Sequence, residues 1–331
     1  MDARLTEEQR SLRETAGRIA RRSAAATVDA LGDSQRITQL ARDLADSGLL
    51  ELRHADAGPT GVEVAIVAEQ LAAAASEASF VGPTLAADLC RRAGIETPET
   101  CTIALTTDLD RIALESDLET ALAFDAGTVT HALYLTESGD KYGLAVAPLR
   151  VGNATVDLTR PLAALTAAET RELAGPVLTV DDLALWRAFA HSVLSADLFG
   201  SARTAHLTTV AYATGRTQYG RPVASFQAVQ HLLAESLVLL EGIESVVNYA
   251  SWAVDAEDPD SAIDTALVSK LYCTNAARTI NEIAIQVHGG IGNTWECMIH
   301  VYLRRALLAG QVLGDEGTLM EQLVDRRLKV A

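Results

Sequence analysis

"RTQYGRPVASFQAVQHLLAE", residues 216–235, and "QVHGGIGNTWECMIHVYLRRA", residues 286–306, start seventy positions apart in a half of the chain that reads almost throughout as helix. The second stretch sets Gly289, Gly290 and Gly292 within four positions, directly after a helix that Gln286 closes. A Rossmann fingerprint or a P-loop needs a strand feeding its glycines, and no strand precedes these, so neither motif applies. Bare backbone does let a ligand come within hydrogen-bond distance of N–H groups. Taken alone, the same glycines also fit a helix C-cap followed by a tight turn. In the first stretch Arg216 ends a helix, Tyr219-Gly220 turns the chain and Phe226-Gln227 starts the next helix. An arginine there can fork two donors onto a pyrophosphate, or simply complement the negative end of its own helix.

Working outward, Val229, Leu233, Leu237, Leu240 and Val247 fall on one helical face and Leu232, Leu239 and Val246 on an adjoining one, which predicts a helix buried over much of its circumference. With the helical stretches on either side, residues 181–331 predict about four long helices, as a bundle needs. Residues 1–100 also read as helical. Thr6 to Gln9 has the form of a capping box, and "GVEVAIVAEQLAAAASEA" from Gly61 is an alanine-rich, nearly apolar helix that lets neighbours approach closely. Between them, residues 101–180 change texture. Two runs rich in β-branched and aromatic residues flank Glu137-Ser138-Gly139-Asp140, a hairpin signature, and "NATVDLTRPLAAL" continues the pattern, so a small β domain of five or six strands is expected.

The bulk numbers exclude several classes of function. At 331 residues the chain can bury a sizeable core. A charge of −17, from 27 basic and 44 acidic residues, repels phosphate backbones and anionic lipid heads, so nucleic acid is not an expected partner. No unbroken apolar run approaches the ~18 residues of a membrane helix. The arginines near the N-terminus are interspersed with acids and lack a following apolar region, so a cytoplasmic location is expected. Cys90, Cys101, Cys273 and Cys297 have no CxxC spacing and read as reduced thiols, with no metal site.

The two quoted stretches closely resemble the signature segments of the acyl-CoA dehydrogenase family, and "LTEEQRSLRETA" and "ADSGLLELRHADAG" are similar to its N-terminal segments. The resemblance thus covers nearly the whole chain. It implies a mainly α fold with a small β domain: an N-terminal helical domain (1–100), a β-barrel-like middle domain (101–180) and a C-terminal four-helix bundle (181–331). It also implies FAD-dependent α,β-desaturation of an acyl-CoA, with electron-transfer flavoprotein as acceptor. In such proteins the signatures meet the ADP half of an FAD seated mainly in the neighbouring subunit. The matching positions are Arg216, Tyr219, Gln286, Gly289 and Gly290, with Gln218 and Gly292 beside them.

Two departures qualify that expectation. The family's base is normally the Glu of a Glu-Gly pair eight to ten residues beyond the arginine of the last helix. Here, counting from Arg304, that pair falls on Leu313-Gly314, and leucine cannot take a proton. Where some members place their Glu near the start of the first bundle helix, this chain has Ala190 and His191. Asp197, two turns on, reads as an ion-paired carboxylate, Arg304 and Arg305 as a solvated or ion-paired face, and Asp315 is left as a weak candidate base. Around "CTIALTTDLDRIALES" nothing resembles the Thr-Glu-Pro-x-Ala-Gly-Ser-Asp segment that holds the flavin ring. Trp295 and Glu296 read as a buried indole with a capping carboxylate. The pattern points to the shorter subunit of a heteromeric enzyme. Its longer partner would supply the Glu, as in actinobacterial α2β2 relatives that act on steroid side-chain CoA thioesters. A homo-oligomer with an atypical acid, and a flavin-free structural paralogue, are the alternatives.

Overall fold

In the computed structural model, which describes residues 4–54, 61–150 and 155–330, helix α1 (Glu7–Arg22) starts at the capping box read from the sequence. The Gln9 N–H donates to the Thr6 hydroxyl and the Thr6 N–H donates to Gln9 Oε1, so two otherwise orphaned donors are satisfied reciprocally. Helices α2 (Ser34–Asp46), α3 (Gly61–Ala73) and α4 (Val81–Arg92) complete the N-terminal part. Residues 55–60, which include the last four positions of the second N-terminal resemblance, lie outside the described residues, as do residues 153–154 at the head of "NATVDLTRPLAAL".

Six strands follow: β1 (Cys101–Leu105), β2 (Leu122–Ala123), β3 (His131–Ser138), β4 (Lys141–Pro148), β5 (Ala163–Ala164) and β6 (Arg171–Leu178). They form one mixed sheet in the order β5-β2-β1-β3-β4-β6, in which β1 and β3 are the parallel pair. The hairpin read around Gly139-Asp140 is β3–β4, in register from His131 opposite Pro148 to Ser138 opposite Lys141, with Gly139 at φ 67°. Leu133, Leu135, Leu144 and Val146 point to the main core, while Ala132, Tyr134, Ala145 and Ala147 build a second one behind the sheet. Burial on both faces explains why these strands read as continuous apolar runs rather than as an alternation.

The bundle consists of α5 (Val180–Gly215), α6 (Gln227–Ala256), α7 (Pro259–His288) and α8 (Ile299–Gln311), followed by α9 (Glu316–Val330). Helix α5 lies at its centre, against α7, α6 and α3. The close approach expected of the alanine-rich α3 occurs at Gly200, where an added Cβ would lie 2.1 Å from the Glu69 carbonyl oxygen and 3.0 Å from Ala72 Cβ. Helix α6 is long and apolar enough, by length and composition, to cross a membrane; here it packs on α7 and α5 and leaves Leu237, Val238 and Tyr249 exposed.

A buried set of charges ties the middle domain to the bundle. Arg305 clamps Asp197 Oδ1 through Nε (3.2 Å) and Nη2 (2.6 Å), and Arg160 reaches Asp157 at 2.9 Å and Asp197 Oδ2 at 3.1 Å. Burial alone would lower the Arg160 pKa; Asp197, Asp157 and Asp125 outweigh it and raise it. Asp197 is therefore the ion-paired carboxylate expected. Arg305 is buried rather than on a solvated face, because α8 sits between α5 and the Asp157–Arg160 loop.

Candidate functional site

The two signature segments meet at one end of the bundle. The Tyr212 ring, near the end of α5, stacks on the His288 ring at the end of α7 with centroids 4.2 Å apart, and its hydroxyl donates to the His288 carbonyl at 3.4 Å. His288 is held in turn by its Nδ1–H donating to the Ala284 carbonyl at 2.7 Å. Arg216 caps α5 one turn beyond Tyr212, and Gly289 caps α7 immediately beyond His288, so the arginine and the glycines share this end.

The first segment also corrects the all-helical reading. Thr217–Gln218 (β7) and Arg221–Pro222 (β8) pair as a two-stranded hairpin across Tyr219-Gly220. Both turn residues have positive φ, 51° and 77°, the combination that a two-residue hairpin of matching twist demands. For a tyrosine this conformation is costly. It leaves Tyr219 93% exposed, its ring edge-on to Phe226 with centroids 6.3 Å apart, and the Phe226 face carries the Arg221 guanidinium at 4.1 Å.

Arg216, Gln218, Tyr219, Gln286, Gly289 and Gly290 are all exposed. Arg216 has no ion pair or side-chain hydrogen bond among the described residues. Nothing lies within 4 Å of a Cβ added at Gly289 or Gly290. Free guanidinium, uncovered glycine backbone and a presented ring fit the phosphate and aromatic parts of a dinucleotide such as FAD. Gly292 differs: it is buried, and an added Cβ would come 3.0 Å from His288 Cβ and 3.2 Å from the Ile285 carbonyl oxygen, so packing already accounts for it. Trp295 and Glu296 are exposed, against the reading of a buried indole; Trp295 meets His300 edge-on and covers no core.

The position where a Glu was sought lies elsewhere, on a 480 Å3 cleft between the sheet, α5, α7 and α9. Leu313 lines it, fully buried, with φ 60°. Its carbonyl accepts from His191 Nε2 (2.9 Å) and Arg187 Nη2 (3.1 Å), and its N–H donates to the Leu109 carbonyl (2.7 Å). Burial, and secondarily the nearby Arg187 and Lys270, lower the His191 pKa to about 3, so the ring is neutral. Asp315 does not line this cleft: it is exposed at the start of α9, where Oδ1 accepts from the Thr318 N–H at 2.8 Å. That backbone bond lowers its pKa, the reverse of what a carboxylate base requires. The structure thus places Asp315 as a helix cap outside the cleft.

The loop after β1 is equally self-contained. Thr106 donates to Asp108 (2.6 Å), Arg111 pairs with Asp117 (2.7 Å), and Leu109 holds Leu313. Sequence reasoning did not single out Arg187 or Lys270. Lys270 is fully buried, donating to the Gly310 carbonyl at 3.0 Å. Its only sequence signal was a lone cation in the apolar run from Ala266 to Tyr272. Cys90, Cys101 and Cys273 are buried free thiols as expected, and Cys297 is half-buried. Among the described residues no cluster could hold a metal.

Residues 188–328 match the family model of the acyl-CoA dehydrogenase C-terminal domain. The acyl-CoA dehydrogenase IpdE2 of Mycolicibacterium smegmatis is 27% identical over 333 residues, covering 96% of this chain and 98% of that protein. The acyl-CoA dehydrogenase FadE34 of Mycobacterium tuberculosis is 35% identical over 181 residues, 54% of this chain, which spans only 24% of that longer protein. Among solved structures, a chain of the ChsE4-ChsE5 complex from Mycobacterium tuberculosis superposes with a TM-score of 0.80 at 19% identity, covering 100% of both chains. Signatures, matched domain and fold agree in their similarity to acyl-CoA dehydrogenases.

Proposed function

We propose that the chain is the shorter subunit of a heteromeric, FAD-dependent acyl-CoA dehydrogenase, in which it completes the nucleotide end of a flavin site on a longer partner that supplies the catalytic Glu. The observation that carries this reading is the exposure of Arg216, Tyr219, Gln286, Gly289 and Gly290 at a bundle end, outside the cleft lined by Leu313 and the two others described, by α2 and by the loop after β1. Donors presented in this way recognise an anion brought by another surface. When bound, FAD supplies the oxidising equivalent of α,β-desaturation, taking up the β-hydride as a carboxylate removes the α-proton. Of this chain's own groups, Arg216 would bind the pyrophosphate, Gly289 and Gly290 would offer backbone to it, and Tyr219 would cover the adenosine. In the chain's own cleft the position where a Glu was sought holds the apolar Leu313, and the carboxylate among its lining residues, Asp325, is exposed on α9.

The partner is a longer acyl-CoA dehydrogenase subunit in an α2β2 assembly. The substrate is a bulky acyl-CoA, a steroid side chain being the class that the sequence resemblance suggests, and electron-transfer flavoprotein is the acceptor. Co-expression with adjacent acyl-CoA dehydrogenase genes, followed by native mass and flavin stoichiometry, tests this. One FAD per pair of unlike chains, absorbing near ~450 nm, is expected. Full flavin occupancy and turnover by the lone chain would overturn it in favour of a homo-oligomer. A colourless complex would leave the flavin-free paralogue.

A further inference from the structure

Trp295 stands in the same loop as the uncovered glycines, five residues after Gly290, and is 58% exposed. Its ring meets His300 edge-on with centroids 6.0 Å apart, and its Nε1–H has no hydrogen-bond partner among the described residues. The loop beneath it is nevertheless held firmly. The Thr294 N–H and hydroxyl both donate to the Ile291 carbonyl, at 3.0 and 2.8 Å. The Thr294 carbonyl in turn accepts from the Cys297 N–H and from His300 Nε2–H, each at 3.1 Å. Because Gly292 has no side chain, the turn packs closely on His288 and Ile285 at the end of α7, and Ile291 next to it is left 44% exposed.

An exposed tryptophan on a fixed loop adds nothing to the core of its own chain and has little freedom left to lose when a second surface covers it. Both are properties of an interface anchor, and tryptophan is among the residue types in which binding energy concentrates. The groups beside it indicate what the second surface brings. The unpaired Arg216 guanidinium and the uncovered Gly289 and Gly290 fit an anion. On the reading above, that anion is the flavin nucleotide held by the longer subunit, and the present inference rests on that reading: a surface that delivers the nucleotide to Gly290 reaches Trp295 as well.

We propose that Trp295, with Ile291 beside it, is the anchor on which the longer subunit docks, its indole entering an apolar pocket of that subunit next to the flavin nucleotide. The pocket supplies a hydrogen-bond acceptor for Nε1–H, as a buried indole requires. The contact is between protein and protein, distinct from the ligand contacts assigned to Arg216 and Tyr219.

The test is a competition. Equal amounts of the native chain and of Trp295→Ala or Trp295→Phe are offered to a limiting amount of the longer subunit, with and without excess FAD, and the complex is weighed by native mass spectrometry. Thermal unfolding of each lone chain is the check of folding, and since the indole covers no core both variants are expected to unfold as the native chain does. Trp295→Ala is expected to bind at least about thirtyfold more weakly, the range of an interface hot spot. Trp295→Phe is expected to lose about three- to tenfold, the share of one hydrogen bond. Excess FAD is expected to leave both losses in place. A change under about threefold in folded Trp295→Ala would overturn the proposal, and so would full recovery in excess FAD, which would make the indole a cofactor contact. Self-association of the lone chain that Trp295→Ala abolishes would also overturn it, because the occupant would then be a second copy. A complex of unlike chains indifferent to Trp295 sinks this inference and leaves the heteromeric reading standing, whereas a native chain that assembles with no longer subunit removes both.

Discussion

Arg216 and Asp315 show how differently two exposed charged residues can be employed. Arg216 stands at the end of α5 with its guanidinium unpaired, so its removal disturbs no contact of the fold. Arg216→Ala is expected to leave unfolding free energy within about 0.5 kcal/mol. In the assembled enzyme it should weaken flavin binding about ten- to a hundredfold, the range of a charge-assisted hydrogen bond, which fluorescence titration of the apo-complex would read. Asp315 is bound to its own helix, the Thr318 N–H holding the carboxylate in its charged form. Asp315→Ala should therefore cost about 1 kcal/mol of stability, as loss of an N-cap does, and leave turnover of the complex within about twofold. A loss of turnover at unchanged stability would restore it as a candidate base.

Among the elements, the end of α8 and its connection to α9 are held by donors from two other helices. Lys270 of α7 reaches Gly310, and His191 and Arg187 of α5 reach Leu313. Burial is the main cause that lowers the Lys270 pKa, to about 7 from an ordinary 10.5, and the charge on Arg187 adds to it. Between pH 7 and 10.5 the unfolded chain then binds more protons at this residue than the folded one, so stability rises with pH across that window and is lost as pH falls toward 7. Denaturant titrations of the native protein and of Lys270→Met at pH 7 and pH 9 should diverge by about 2 kcal/mol, the native protein gaining on alkalinisation. A pH-independent difference would show that the ammonium is well solvated. The same clamps keep Leu313 at positive φ, which is why a loop that counts as a base position in the sequence is a rigid apolar wall in the fold.

At the scale of the whole molecule, Asp197 is the joint. It receives Arg305 from α8 and Arg160 from the loop before β5, so its loss leaves two buried guanidinium groups short of their main counter-charge. Asp197→Ala is expected to destabilise the protein by about 3–5 kcal/mol, the cost of breaking a buried pair from one side, measured by chemical denaturation. A cost under about 1 kcal/mol would mean that Asp157 and Asp125 compensate. The molecule also presents its nucleotide-type donors outward and keeps its cleft closed to them at a different place, so the chemistry of the two regions is separable by mutation.

The sequence by itself determined the three-part architecture, because capping chemistry, helical periodicity and strand texture are local and each repeats within a few residues. It also marked the two signature segments, since glycines and an arginine at helix ends stand out wherever the chain later goes. Only the tertiary structure decided what those residues meet. Tyr212 on His288 brings segments seventy positions apart to one end, and Gly292 is separated from Gly289 and Gly290 by what a Cβ would touch. Arg305 proved buried, Trp295 exposed, and Asp315 a cap, because each answer depends on a neighbour distant in the chain or on the exact end of a helix. The hold of Arg187 and His191 on the Leu313 carbonyl was illegible for the same reason: it joins residues 126 and 122 positions apart, and no pattern of residue types records it.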